Sequence, residues 1–230
     1  MLATLIGLCG ATPPAWSGIQ VSPVRIVFTP RDRIVTVTLG NDGAREVTVQ
    51  AETLRWSQGP NGADVLEPTD EVVASPPLLK LAPGARKVIR LARLRRHLPE
   101  QELSYRLLVH ELPSADAPAE KALNLRFTFT FSVPIFVAPR APMRDVRCQP
   151  APDFASVTCR NEGNTFARVR RLSLFQGEAE LATSSPAAYL LPGTAKVLPI
   201  KAQAPGARGP ARLLIELEDG TTQAHDAALP

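Results

Sequence analysis

Between residues 33 and 58 apolar and polar positions alternate with a period of two, as expected of strands with one buried face. "RIVTVTLGNDG" sets Val35, Val37 and Leu39 on one face and Thr36 and Thr38 on the other, and Asn41-Asp42-Gly43 supplies a turn. "REVTVQAETLRW" alternates through Val47, Val49 and Ala51 before its apolar parity slips to Leu54 and Trp56, which predicts a β-bulge or bend. "RKVIRLARL" and "LSYRLLVHEL" continue the pattern. Loops such as "SPPLLKLAPG" interrupt it, because adjacent prolines do not fit a central strand. The longest run is "LNLRFTFTFSVPIFVAP", residues 123 to 139, where Leu123, Leu125, Phe127, Phe129, Phe131 and Val133 share one face.

The second half repeats this grammar with weaker strands: "MRDVRC", "ASVTCRNEG", "FARVRRLSLFQ", "AKVLPIKA" and "ARLLIELED". "APRAPM", 138 to 143, breaks the pattern with two prolines and marks a linker. Short strands at regular spacing, twice over, predict an all-β chain of two tandem β-sandwiches, and no repeat of 20 to 50 residues suggests a solenoid. Composition agrees. The 230 residues suffice for two cores, apolar residues make up 44% and charged residues 21%, and 23 Pro with 14 Gly leave little room for long helices.

The net charge of +4 raises nucleic acid as a ligand, but the basic residues are scattered apart from "RLARLRRHLP" at 90 to 99. That run is interleaved with Leu and lacks aromatics for stacking bases, so it reads as a solvated strand edge and loop, with no nucleic acid expected. "MLATLIGLCGATPPAWSG" holds an apolar run from Leu2 to Ala11 followed by small residues. It reads as a secretory signal peptide over residues 1–17, too short to insert in a bilayer, although no Lys or Arg precedes the run. Leu8 stands before Cys9, where a lipoprotein signal needs a small residue. Export leaves Cys148 and Cys159, in "VRCQPAPDFASVTCRN". Two strands flanking the Pro-containing turn would set them opposite one another for a disulfide, with two buried free thiols as the alternative.

Nothing marks an enzyme. His97, His110 and His225 are far apart, and "HELPS" at 110 to 114 lacks the second His of a zinc-protease helix and contains Pro113. Nucleophile elbows, phosphate loops, C-x-x-C pairs and dinucleotide fingerprints are missing, so neither metal nor cofactor is expected.

The aromatic run needs a further explanation. Four of the eight Phe (Phe127, Phe129, Phe131, Phe136) fall within ten residues, opposite the polar face Asn124, Arg126, Thr128, Thr130 and Ser132. A run of this length is more than twice a typical strand, so part of it is expected to extend past its neighbours as an edge. Proteins normally blunt a long apolar edge, so one that is kept points to a partner that completes the sheet.

"VSPVRIVF" at 21 to 28, "SPPLLKLAPGARKVIRL" at 75 to 91, "LPEQELSYRLLVHELP" at 98 to 113 and "FSVPIFVAP" at 131 to 139 resemble, in order and spacing, the signature segments of periplasmic pilus-assembly chaperones of the PapD-like, chaperone/usher type. "GNTFARVRRLSL" at 163 to 174 resembles their second domain, and "FSVPIFVAP" is most similar to the archaic, spore-coat-protein-U branch. The resemblance implies two immunoglobulin-like domains arranged as a boomerang, here 18–139 and 140–230, in a non-enzymatic periplasmic protein. It implies a pilus or spore-coat-U-like subunit and an outer-membrane usher as partners, with self-association of the unloaded chain an open alternative. Strand addition of this kind is a known mode of recognition. Carried onto this chain, the residues donated to the subunit are Leu123, Leu125, Phe127, Phe129 and Phe131. Arg25, in "PVRIVF", is the implied anchor for the subunit's C-terminal carboxylate. The family's accompanying Lys falls on Pro134, which leaves Arg90 as a substitute to consider. Glu102 and Arg106, four apart on one strand face, are expected to be structural and to pair. Trp56 and Tyr105 are expected in or beside the core, and Ser75-Pro76-Pro77 at a turn with a cis peptide. A secreted immunoglobulin-like binding module or adhesin is the alternative function.

Overall fold

The computed structural model describes residues 18–95, 97–113, 128–152, 155–200 and 208–229; the N-terminal apolar segment and Leu123, Leu125 and Phe127 lie outside the described residues. Strands account for the regular structure there, and no helix occurs among the described residues. In the first half the strands are β1 (Ile19–Ser22), β2 (Ile26–Phe28), β3 (Ile34–Asn41), β4 (Val47–Gln58), β5 (Asp64–Pro68), β6 (Val72–Ser75), β7 (Leu78–Leu81), β8 (Arg86–Arg93), β9 (Leu103–Leu112) and β10 (Thr130–Val137). They form two sheets, β1-β3-β8-β6 and β2-β10-β9-β4-β5, with β7 pairing β4.

The alternation read from the sequence is what closes this sandwich. Val37 and Leu39 from β3, Ile89 and Leu91 from β8, Val49 and Ala51 from β4 and Leu107 and Val109 from β9 meet in one core. Both faces of the core are supplied by alternate residues, so neighbouring positions point to solvent. The chain changes sheets twice at Ser-Pro: between β1 and β2, where Ser22–Pro23 is cis, and between β6 and β7, where Ser75–Pro76 is cis. The segment read from sequence as a loop thus carries two short strands around its prolines.

The expected bulge in β4 is not present. Its register with β9 runs unbroken from Thr48↔Leu112 to Arg55↔Tyr105. The parity slips because the strand is buried on both faces by different neighbours: Val49, Ala51 and Thr53 face the sandwich core, whereas Trp56 points out of the other face into a cluster shared with the second half.

The second half contains β11 (Val146–Pro150), β12 (Ser156–Asn161), β13 (Ala167–Gln176), β14 (Ala179–Ser184), β15 (Ala188–Leu190), β16 (Ala195–Pro199), β17 (Gly209–Leu217) and β18 (Thr222–Leu229). Sheets β11-β12-β16 and β14-β13-β17-β18, with β15 on β13, enclose a separate core containing Leu172, Leu190, Leu213 and Ile215. Cys148 and Cys159 are register partners on β11 and β12 and form a disulfide, with S–S 2.04 Å.

The two halves meet through a third apolar cluster of Trp56, Phe136 and Leu191, with Phe166 and Tyr189 against it. Phe136 stacks on Phe166 at 3.9 Å between ring centroids and 15° between planes. Gln58 spans the same junction with both ends of its amide: Nε2 donates to Tyr189 O at 3.0 Å, and Oε1 accepts from Leu191 N at 3.0 Å and Thr194 Oγ1 at 2.9 Å.

Candidate functional site: an open strand edge leading to a charged cleft

β10 carries the aromatic run to its end, and its two faces part company. Phe131, Val133, Ile135 and Val137 pack on the first core, Phe131 only partly buried, while Phe136 turns the other way into the junction between halves. The pairing of β10 is also uneven. On one side β9 accompanies it from Thr130↔His110 to Val137↔Leu103. On the other side β2 runs parallel to it over Ile135–Val137 alone. Among the described residues, 130 to 134 therefore have a sheet partner on one side and an open edge on the other. Phe129 sits at the start of this edge, 49% exposed, with its carbonyl accepting from Glu111 N at 2.9 Å. An unblunted edge next to an exposed Phe is the feature proteins ordinarily avoid.

The other end of the open edge is chemically different. β2 begins at Ile26, opposite Ile135, so Arg25 lies level with Pro134, where the edge runs out. Arg25 Nη2 is 2.5 Å from Glu218 Oε1, and the guanidinium carbon is 5.3 Å from the Phe166 ring centroid. Glu218 also accepts from Arg168 Nη1 at 3.2 Å. These side chains line a cleft of about 590 Å³ together with Arg144, Asp145 and Asp219. Two guanidiniums converging on one carboxylate is an arrangement that binds carboxylates by charge-assisted hydrogen bonds.

Several side chains have partners other than those expected from the sequence. Arg90 is exposed on β8, between Thr36 and Ser75 on the outer face of the opposite sheet, and is not brought near Arg25. Glu102 and Arg106 do not pair. Four residues along a strand span roughly 13 Å, too far for contact, and each has another partner: Glu102 accepts from Phe166 N at 2.8 Å, and Arg106 lies 3.7 Å above the Trp56 ring. Burial pushes the Glu102 carboxyl up to about 7, against the pull of the Phe166 N–H and Arg144. Tyr105 is buried in the first core with its hydroxyl 2.5 Å from Glu71 Oε2, and Trp56 is buried at the junction. In the basic run at 90 to 99, Arg95 pairs with Glu71 and Arg93 is buried. Arg168 and Glu218 carried no signal in the sequence. They lie 143 and 193 residues from Arg25, and only the packing of the two halves brings them to it.

The family model for pili and flagellar-assembly chaperones, PapD N-terminal domain, matches residues 18–142. No curated protein matches the chain by sequence. Among solved structures, the fold is similar to that in the CsuC–CsuE chaperone–tip adhesion subunit pre-assembly complex from archaic chaperone-usher Csu pili of Acinetobacter baumannii, with 19% identity, TM-score 0.63, and coverage of 92% of this chain and 98% of that one. The E. coli chaperone DraB gives 20% identity and TM-score 0.60 over 93% of this chain and 97% of its own. A Salmonella enterica SafA pilin–SafB chaperone complex gives 15% identity and TM-score 0.62 over 95% and 97%.

Proposed function

Because the chain belongs to the family of pili and flagellar-assembly chaperones, we propose that it binds a pilus or spore-coat-U-like subunit in the periplasm, completes that subunit's sandwich by donating the strand that ends in β10, and passes it to an outer-membrane usher. The first domain, 18–139, carries the donated strand, and 140–230 closes the cleft. Complexes of similar chaperones with a tip adhesion subunit and with a pilin support this reading.

The observation that carries it is the open side of residues 130–134 running to Arg25. This geometry also favours one direction. β2 runs parallel to β10, and Arg25 lies at the start of β2. A subunit strand added to the open edge parallel to β10 continues the line of β2 and ends at Arg25, so the group that reaches the guanidinium is its C-terminal carboxylate. An antiparallel strand would bring its N-terminal end there and place two cations together. Of the five residues read as donated, Leu123, Leu125, Phe127 and Phe129 then fill the subunit's core, each side chain worth about 1.5–3 kcal/mol on full burial, whereas Phe131 already packs against the chain's own core; the carboxylate–Arg25 bond adds about 1.5–3 kcal/mol and sets the register.

The test is recovery of a co-expressed candidate subunit from the periplasm of a Gram-negative host. Phe129→Asp is expected to abolish recovery while the chaperone itself remains folded, because Phe129 contributes little to its own core. Equal recovery with the variant overturns strand donation and favours a binding module acting through its loops.

A further inference from the structure

Arg25 is held by a carboxylate of its own chain, and the way it is held is uneven. Its Nη2 and the Nη1 of Arg168 converge on the same oxygen, Glu218 Oε1. Its Nε is buried and has no acceptor among the described residues. A guanidinium offers parallel N–H groups that match the two oxygens of a carboxylate, and this forked bond is stronger than a single contact. Glu218 thus neutralises Arg25 without using its fork. Arg168 is fixed from elsewhere, with Nε donating to Ala187 O at 3.3 Å and its carbonyl accepting from Glu218 N at 2.9 Å.

The charge count in the cleft bears on what a ligand must do. Arg25, Arg144 and Arg168 face Asp145, Glu218 and Asp219, so the lining is balanced. A further carboxylate added beside Glu218 would be in excess, in a space partly walled by Phe166 and Leu217. A carboxylate that takes Arg25 must therefore displace Glu218. The residue is placed to yield: it begins the turn between β17 and β18, and its side chain is 27% exposed.

Resting on the carboxylate-anchor reading above, we propose that Glu218 is an internal placeholder for the partner's C-terminal carboxylate, displaced when that terminus arrives along β10, and that Arg168 is the second cation of the anchor. Arg168 comes from the second half and supplies the charge that Pro134 cannot. The bound terminus is shared between the two guanidiniums, and Glu218 turns to solvent.

The test uses the full exported chain with N-acetylphenylalanine as the probe and N-acetylphenylalaninamide as its uncharged counterpart, followed by the side-chain Nε–H NMR signals of Arg25 and Arg168. The acid is expected to shift both signals saturably, and the amide neither. Glu218→Gln, and independently Glu218→Ser, should tighten binding of the acid by about tenfold or more, as expected when a competing charged hydrogen bond is removed. Adding Arg168→Met to Glu218→Gln should return most of that gain. Unchanged or weaker binding in both Glu218 variants overturns the proposal, as does equal binding of acid and amide. The result separates from the parent reading. If subunit recovery survives Phe129→Asp while the Glu218 variants still bind the acid more tightly, strand donation falls and the placeholder stands. If recovery is lost with Phe129→Asp but the Glu218 variants leave the acid's affinity unchanged, only the placeholder falls.

Discussion

The two halves of the molecule are built around the same corner and finish their sheets in opposite ways. In the first, Asn41 ends β3, donates Nδ2 to Arg45 O at 2.7 Å and Leu81 O at 2.9 Å, and accepts Gly43 N at 2.9 Å. In the second, Asn161 ends β12, donates to Thr165 O at 2.7 Å and Leu190 O at 2.9 Å, and accepts Gly163 N at 3.0 Å. Each Asn carbonyl also receives a glycine N–H from a Pro-Gly turn, Gly84 at 2.7 Å and Gly193 at 2.9 Å, and both glycines have positive φ, 70° and 76°. One buried amide thus ties three chain segments together in each sandwich, because every buried backbone group it meets needs a partner.

The last strands diverge. β18 follows β17 after residues 218–221 and pairs with it from Gly209↔Leu229 to Glu216↔Thr222. It is the edge of its sheet, and Thr222, Gln223, His225 and Asp226 give it a polar character that discourages further pairing. β10 is reached only after residues 113–129, is covered by β2 for three positions, and carries aromatic residues into its open portion. The same architecture therefore ends in a polar edge in one half and in an apolar, incompletely paired edge in the other, and the second is the edge proposed to donate a strand.

Substitutions probe how far the two halves differ, most strongly at the junction between them. Phe136 is fully buried against Phe166, Trp56 and Tyr189. Phe136→Ala should cost about 4 kcal/mol in urea unfolding and separate one transition into two as the halves uncouple. The corners come next. Asn41→Ala and Asn161→Ala each strand two carbonyls and a glycine N–H, and each should cost about 3 kcal/mol. Near-equal losses in the two variants are expected from the matched geometry, and a large loss in only one would contradict it.

The smallest effect depends on pH. Burial raises the Glu102 carboxyl from an ordinary 4.5 to about 7. The folded chain thus keeps a proton that the unfolded chain releases, and its stability falls as pH rises from 4.5 to 7. Glu102→Gln keeps an acceptor for Phe166 N but cannot ionise. It should stabilise the protein by about 2 kcal/mol at pH 8 and leave it unchanged near pH 4, by unfolding midpoints measured at both.

Much of this organisation was legible beforehand. Alternation located β3, β4, β8 and β9, and the Phe spacing marked the face of β10 that carries Phe131. β18 was missed because "TTQAHDAAL" has no apolar alternation, and its pairing with β17 is what makes it a strand. The matched corners were written in the chain as "GNDG" with "LAPG" and "RNEG" with "LLPG". Their copies lie a whole domain apart, beyond the spacing of a solenoid repeat. Phe136 belonged by composition to the aromatic run, yet the parity of its position sends it to the junction. Arg168 and Glu218 could not be foreseen, because a cleft between halves has no local pattern.

If the open side of residues 130–134 receives a subunit strand, amide hydrogen exchange of the chain alone and bound to its subunit will register it. The amides of Thr130 and Ser132, which face away from β9, should become strongly protected on binding, while those of β18 do not change. Unchanged exchange at these residues in a stoichiometric complex, with protection appearing in loops or on β18, would contradict it.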